Sequence, residues 1–220
     1  MEKLDTMEAE RQKGVMDMKQ LIISVGREYG SGGHVIAEQL AKRFGLRLYD
    51  SNLLTCVAKE KHVSPEELRA YDEIGKNKLL YRTVNGFSNS PEENLANLQF
   101  DYLRKLAAAG ESFVIVGRCA ETALSGIPGL ISLFILGDEE AKIQRIRSLH
   151  PELSHDEAKR LCSKEDWKRK SYHNYYCKGK WGDARTYDLT INSSRLGLDG
   201  TADALESYIK ARISEEKNIE

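Results

Sequence analysis

No run of apolar residues in this sequence is long enough to span a bilayer, and the charged, polar N-terminus has no signal-peptide core. No C-x-x-C pair occurs among the four cysteines, Cys56, Cys119, Cys162 and Cys177. That argues against a disulfide framework and for reduced thiols. Neither sign of charge is in excess. Against 34 Asp and Glu stand 33 Lys and Arg, a net charge of −1, so no global field favours nucleic acid. Internal repeats and low-complexity segments are also lacking. These absences predict a cytoplasmic protein with neither nucleic acid nor membrane as partner. They leave the oligomeric state open, a homo-oligomer included.

What remains is ordinary globular material. The chain has 220 residues, 40% of them hydrophobic and 30% charged, enough for one domain with a sizeable core. Residues 1–18 are rich in Met, Glu, Asp and Lys and are expected to form a flexible N-terminal extension, with Met18 as an alternative start. Residues 19–220 are read as a single domain.

The densest information lies in residues 21–33, Leu-Ile-Ile-Ser-Val-Gly-Arg-Glu-Tyr-Gly-Ser-Gly-Gly. A β-branched apolar run, predicted as a strand over 20–25, feeds a glycine-rich loop. The loop feeds a helical pattern from His34 to Phe44, with Val35, Ile36, Leu40 and Phe44 on one face and Gly45 as its end. Strand, glycine loop and helix start together make a phosphate cradle, because main-chain N–H groups turn inward and the helix adds partial positive charge. Gly30, Ser31, Gly32 and Gly33 are the cradle candidates, with His34 at the loop–helix junction.

Downstream, strands are expected at Leu46–Tyr49, Phe113–Val116, Leu130–Leu136 and Tyr187–Ile191. Helices are expected at 51–61, from Ser64-Pro65-Glu66-Glu67, at Pro91–Ala109, at Asp138–Leu149, from the capping box Ser154-His155-Asp156-Glu157 to about Tyr176, and at Thr201–Ile213. Residues 84–91 read as a loop. Alternating strands and helices imply an α/β fold with a parallel sheet and a ligand at its carboxyl edge.

One departure stands out. A Walker loop reads G-x-x-x-x-G-K-[ST], with the lysine on the β/γ-phosphates and a hydroxyl on Mg²⁺. Aligned on Gly30-Ser31-Gly32, this chain has Gly33 at the lysine position and His34 at the hydroxyl position, and Gly26 lies one residue too far upstream.

Four segments in order, Gly26–Gly33, Val114-Ile-Val-Gly-Arg118, Tyr172-His-Asn-Tyr-Tyr176 with Trp181-Gly182, and Tyr187–Ser194 with Leu196-Gly197, resemble the cytidylate kinase-like family, a branch of the P-loop nucleoside monophosphate kinases. The resemblance covers about residues 19–213. It implies a P-loop NTPase-type three-layer αβα fold with a parallel sheet, an acceptor-binding helical insert at 51–109 and a lid at 150–186. It further implies transfer of a phosphoryl group from ATP, with Mg²⁺, to a nucleoside monophosphate of the CMP/dCMP kind or a similar small acceptor. Loss of the Walker lysine leaves a second reading open, a nucleotide-binding protein with impaired catalysis.

Within that frame Arg27 is a candidate replacement for the lysine, or else a partner of Glu28. Arg118 occupies the place where cytidylate kinases read Gly-Arg-Asp and their arginine holds the acceptor phosphate; here Cys119 replaces the aspartate. Asp50 either meets the acceptor or a Mg²⁺-bound water, or caps the helix that follows. Of Arg145 and Arg147, which cannot share a helix face, Arg145 is preferred for the nucleotide. Lys168 and Arg169 lie in the basic cluster Lys164–Lys170 and are the expected phosphoryl clamps, unless the cluster is simply a solvated face. Tyr172, Tyr175 and Tyr176 stack on a base or pack the lid. His173 and Cys177 have metal-ligand spacing, but with no second pair in the sequence no metal site is expected.

Overall fold

A computed structural model describes residues 20–69, 83–84, 87–88 and 91–219. The expected extension at 1–18 lies outside them. Strand β1, Ile22–Arg27, is central because five of its six residues are buried, so both its faces must be covered. It pairs in parallel with β5, Phe113–Val116, on one side and β6, Leu130–Leu136, on the other. Outside these lie β2, Arg47–Tyr49, and β7, Leu189–Asn192. The five-stranded sheet is parallel throughout, in the order β2-β5-β1-β6-β7. With helices on both faces this is the three-layer αβα arrangement.

One face of the sheet is covered by α1, Gly33–Phe44, and α8, Ser193–Ile219. Ile23, Val25, Val114, Leu133 and Ile135 there meet Ile36, Leu40, Phe44, Leu205 and Ile209. The other face packs Ile22, Phe113 and Ile115 against α2, Asn52–Lys61, and α4, Pro91–Ala108, through Leu53, Val57 and Leu103. Each fully buried aliphatic of this kind contributes about 1.5–3 kcal/mol relative to exposure. Between α2 and α4 lie α3, Pro65–Arg69, and a two-stranded antiparallel ribbon, β3 at Thr83–Val84 and β4 at Phe87–Ser88. After β5 comes a single turn, α5, Ala120–Ala123. After β6 come α6, Glu139–Leu149, and α7, His155–Tyr176, which pack together through Ile143, Ile146, Ala158 and Cys162. Among the described residues no helix is long and apolar enough to cross a membrane.

Gly45 ends α1 in the left-handed region (φ 64°), as expected, with its N–H and that of Leu46 closing onto Lys42 and Ala41 carbonyls. Both halves of the Ser154–Glu157 capping box are formed. Several features depart from expectation. Val35 is exposed, and Ala37 and Ala41 complete the buried face of α1 in its place. The segment 84–91 contains strand β4, which pairs antiparallel with β3. Helix α8 begins at Ser193 rather than Thr201, broken only at Gly197, which is not helical. The short α5 and a 3-10 turn at Ala184–Thr186 have no counterpart in the expected elements.

Strand β7 starts two residues late because Tyr187 and Asp188 are otherwise engaged. Tyr187 packs on Phe134, ring centroids 4.9 Å apart. The Asp188 carboxylate accepts the Ser132 N–H (2.7 Å) and hydroxyl (2.8 Å), while Arg212 of α8 reaches its other oxygen at 3.2 Å. Burial alone would raise the pKa of Asp188, but the Ser132 and Arg212 bonds outweigh it and hold the carboxyl below its ordinary value. The stabilisation is therefore complete above the unfolded-state pKa of about 4 and is lost as pH falls through the lower folded value. Asp188→Asn is expected to destabilise the protein at neutral pH and to flatten its loss of stability below about pH 4. Urea unfolding at neutral and acid pH checks this; an Asn variant that keeps the wild-type acid dependence contradicts it.

Candidate functional site

The glycine-rich loop leaves the carboxyl end of β1 and returns at α1. Glu28 N–H donates to the Ile135 carbonyl, and the Ser31 hydroxyl donates to the Glu28 carbonyl at 2.9 Å. Gly33 N–H donates to Ser31 Oγ at 3.3 Å, and the Ser193 hydroxyl donates to the Ser31 carbonyl at 2.6 Å. Ser31 is buried and its side chain is spent on closing the loop, as are its N–H, which donates to the Glu28 carbonyl, and its carbonyl, which accepts from Ser193. Gly30 and Gly32 are left-handed (φ 79° each).

The course of Arg27 explains two other glycines. A Cβ on Gly33 would lie 2.6 Å from Arg27 Cβ, and a Cβ on Gly117 would lie 2.2 Å from Arg27 Nη1. The arginine stem therefore passes directly over the residue that stands at the Walker-lysine position, and its guanidinium reaches the end of β5. Glu28, the alternative partner considered for it, pairs instead with Lys142 at 2.9 Å.

At the end of β5 the backbone takes an unusual path. Gly117, Arg118 and Cys119 have φ values of 74°, 59° and 52°. Left-handed geometry costs a non-glycine residue about 1–2 kcal/mol, so two such residues in succession mark a turn imposed by its surroundings. Gly117 N–H is held by the Val25 carbonyl, and Ala120 and Ala123 N–H groups close the turn from the other side. The result places Arg118, buried, in the same cleft as Arg27 at the carboxyl edge of the sheet.

Helix α7 supplies a third arginine. Arg169 lies over the Tyr29 ring, 5.3 Å from its centroid, and lines a narrow cleft of about 30 Å³ together with Arg27, Arg118, Glu121, His173 and Trp181. Lys168 faces the other way, paired with Glu165 at 2.6 Å, and does not line the cleft. Arg145 sits beside the loop, its Nη1 3.2 Å from where a Gly32 Cβ would be, and borders a shallow depression with Ser193, Ser194 and Gly197. Arg147 instead donates to the Leu153 carbonyl. His34 is exposed, with Nε2 3.4 Å from Glu38 and 3.6 Å from Asp50. One Asp50 oxygen accepts the Asn52 N–H at the start of α2. Tyr172 and Tyr176 meet at a tilt, ring centroids 4.8 Å apart, and Tyr176 meets Phe100 of α4 edge-on, so these rings pack helices together.

Two clusters have no counterpart in the sequence reading. Lys142 of α6 is buried between Glu28 of the loop and Asp166 of α7 (3.3 Å), and Asp166 also accepts the Tyr29 N–H at 2.6 Å. Burial opposes the charge on Lys142, but the Glu28 hydrogen bond and the two carboxylates outweigh it and raise its pKa. The second cluster lies on the cleft wall, where His173 and Cys177 gain companions in Glu121 and Cys119. The 52 residues between His173 and Glu121 hide that pairing from local pattern. Chemically, three guanidinium groups beside a glycine-rich loop suit an anion carrying several phosphate charges.

The model of the cytidylate kinase-like family matches residues 22–195. A cytidylate kinase from Methanococcus vannielii is 25% identical over 194 residues, covering 86% of this chain and all of the relative. An uncharacterised protein of known structure from Eubacterium ventriosum is 38% identical, with a TM-score of 0.69 over 87% of this chain and 99% of its own. Shikimate kinase from Acinetobacter baumannii, solved with shikimate, shares the fold at 13% identity, with a TM-score of 0.51 over 91% of this chain and 97% of its own.

Glycine at position 33 follows from the course of Arg27. Gly33→Ala is expected to destabilise the protein by about 1–3 kcal/mol through overpacking against the arginine stem, where Gly→Ala without strain stabilises. Thermal unfolding of the variant decides; a raised melting temperature contradicts this path for Arg27.

Proposed function

The chain belongs to the cytidylate kinase-like family, and we propose that it transfers the γ-phosphoryl group of ATP to a nucleoside monophosphate of the CMP/dCMP kind. The observation that carries the reading is the convergence of Arg27, Arg118 and Arg169, from three separate elements, on one cleft beside the glycine-rich loop. Phosphoryl transfer asks little covalent chemistry of a protein; it asks for alignment and neutralisation of charge.

In this reading the donor phosphates lie on the main chain of Gly30–Gly33, with His34 at the loop mouth. The donor base lies toward Arg145, Ser193 and Ser194. The acceptor phosphate lies against Arg118, with Asp50 at the same sheet edge. An acceptor oxygen attacks the γ-phosphorus, and the bond from that phosphorus to the β–γ bridging oxygen breaks. Because the acceptor oxygen is already ionised, no general base is required. Arg27 lies between the two sites and offsets charge on the oxygens in transit; Arg169 closes over them from α7, with Lys168 contributing at longer range. Residues 51–109 serve as the acceptor insert and 150–186 as the lid.

Mg²⁺ would arrive with ATP and supply further charge neutralisation. Asp50 is the carboxylate available to it near the loop, and position 34 offers no hydroxyl. A shell made mostly of phosphate oxygens and water suits this ion. Gly33 and His34, in place of lysine and hydroxyl, favour the second reading, nucleotide binding without turnover.

ATP consumption with Mg²⁺ across a panel of nucleoside monophosphates tests both. Acceptor-dependent turnover is expected, and Arg118→Ala is expected to lower kcat/KM by about 10²-fold or more. ATP binding in a thermal-shift assay without turnover on any acceptor selects the second reading. Absence of both binding and turnover overturns the two together.

A further inference from the structure

The cleft wall carries a group of side chains for which phosphoryl transfer has no use. Sγ of Cys119, Sγ of Cys177 and a carboxylate oxygen of Glu121 all lie within 4.8 Å of one another. Cys177 Sγ is 3.6 Å from Glu121 Oε1, and His173 Nε2 is 2.8 Å from the same oxygen. Cys119, Cys177 and His173 are buried, and the Glu121 side chain is 6% exposed. The donors come in two short-spaced pairs. Cys119-x-Glu121 follows β5, and His173-x-x-x-Cys177 closes α7.

Two thiols and a carboxylate brought together out of water suit a soft divalent cation better than they suit each other. With Zn–S of about 2.3 Å and Zn–O of about 2.0–2.2 Å, a tetrahedral ion holds its ligands roughly 3.5–3.8 Å apart. Cys177 Sγ and Glu121 Oε1, 3.6 Å apart, already stand at that spacing, and Cys119 Sγ lies within 4.8 Å of both ligand atoms. Hard cations such as Mg²⁺ are disfavoured by the two sulfurs. The charge balance is also favourable. Two thiolates and a carboxylate bring three negative charges and the ion two positive ones; the net negative charge left faces Arg118, next in sequence to Cys119.

We propose that Cys119, Glu121 and Cys177 bind a thiophilic divalent cation of the zinc class, with His173 orienting the Glu121 carboxylate. Binding releases the thiol protons to solvent, and no oxidant or reductant is involved. The ion joins the end of α7 to the turn that carries Arg118, so it acts as a staple between these two parts of the cleft. This proposal stands apart from the phosphotransfer reading and is tested without it.

The test uses the full chain, reduced and stripped of metal, titrated with Co²⁺ and then Zn²⁺. One Co²⁺ per chain is expected, giving a thiolate-to-cobalt charge-transfer band and visible bands of tetrahedral intensity, which Zn²⁺ then abolishes. Cys119→Ser and Cys177→Ser are each expected to remove the charge-transfer band or weaken binding at least tenfold. His173→Gln is expected to weaken binding about 10–100-fold while keeping the band. Cys56→Ser, remote from the cluster, keeps both. Absence of a charge-transfer band from the wild-type chain, with all four thiols shown reduced by thiol titration, overturns the proposal. So does a band that survives at wild-type intensity and with wild-type affinity in both Cys119→Ser and Cys177→Ser. The wild-type spectrum is decisive even where a variant fails to fold.

Discussion

The carboxyl edge of the sheet is organised around one buried ammonium. Lys142 projects from α6 between Glu28 of the glycine-rich loop and Asp166 of α7. Each carboxylate has a second task. Glu28 accepts the Gly137 N–H just after β6, and Asp166 accepts the Tyr29 N–H within the loop. The loop, the end of β6, α6 and α7 therefore share one charge-balanced junction. A buried charge of this kind is tolerable only while its partners stay in place, so the junction resists motion of any single member. Ile143, Ile146, Ala158 and Cys162 add an apolar layer beside it, with Tyr29 packed against them. The loop is thus held from behind before any ligand contacts its front.

A loop fixed in this way can do without the usual lysine only if another cation reaches its mouth. Lysine on α1 would be a mobile point charge. Arginine on β1 is a planar fork, charged at all accessible pH values, carried by the central strand of the sheet. Emptying position 33 makes room for the stem, and Gly117 makes room for the head. Gly33, Gly117 and Arg27 therefore belong to one structural arrangement.

The core strands were legible because Leu, Ile, Val and Phe dominate β1, β5 and β6, and the major helices because their caps are spelled out at Ser154 and Gly45. Boundaries shifted where side chains far apart in sequence made competing bonds, as Asp188 does with Ser132 across 56 residues. Arg27, Arg118 and Arg169 could be picked out from local motif and charge. Lys142 could not. On its helix it reads as a surface charge, and it is buried only because Glu28, 114 residues away, comes to meet it. The Cys119–Glu121–His173–Cys177 group was hidden for the same reason. Its two halves belong to elements that only the tertiary fold brings together. Lys168 shows the opposite limit, since composition alone cannot distinguish neighbours on a helix that face in different directions.

The left-handed turn at residues 117–119 has one further consequence. Cytidylate kinases read aspartate after this arginine, a residue type that enters left-handed geometry comparatively easily. Cysteine has no such ease, yet φ at Cys119 is 52°. Cys119 thus holds a bend to which its side chain is poorly suited. Strain of this sort acts as a tariff on sequence drift. A residue disfavoured by its own backbone persists only where its side chain returns the difference, which makes position 119 a place where the backbone itself records a change of chemistry.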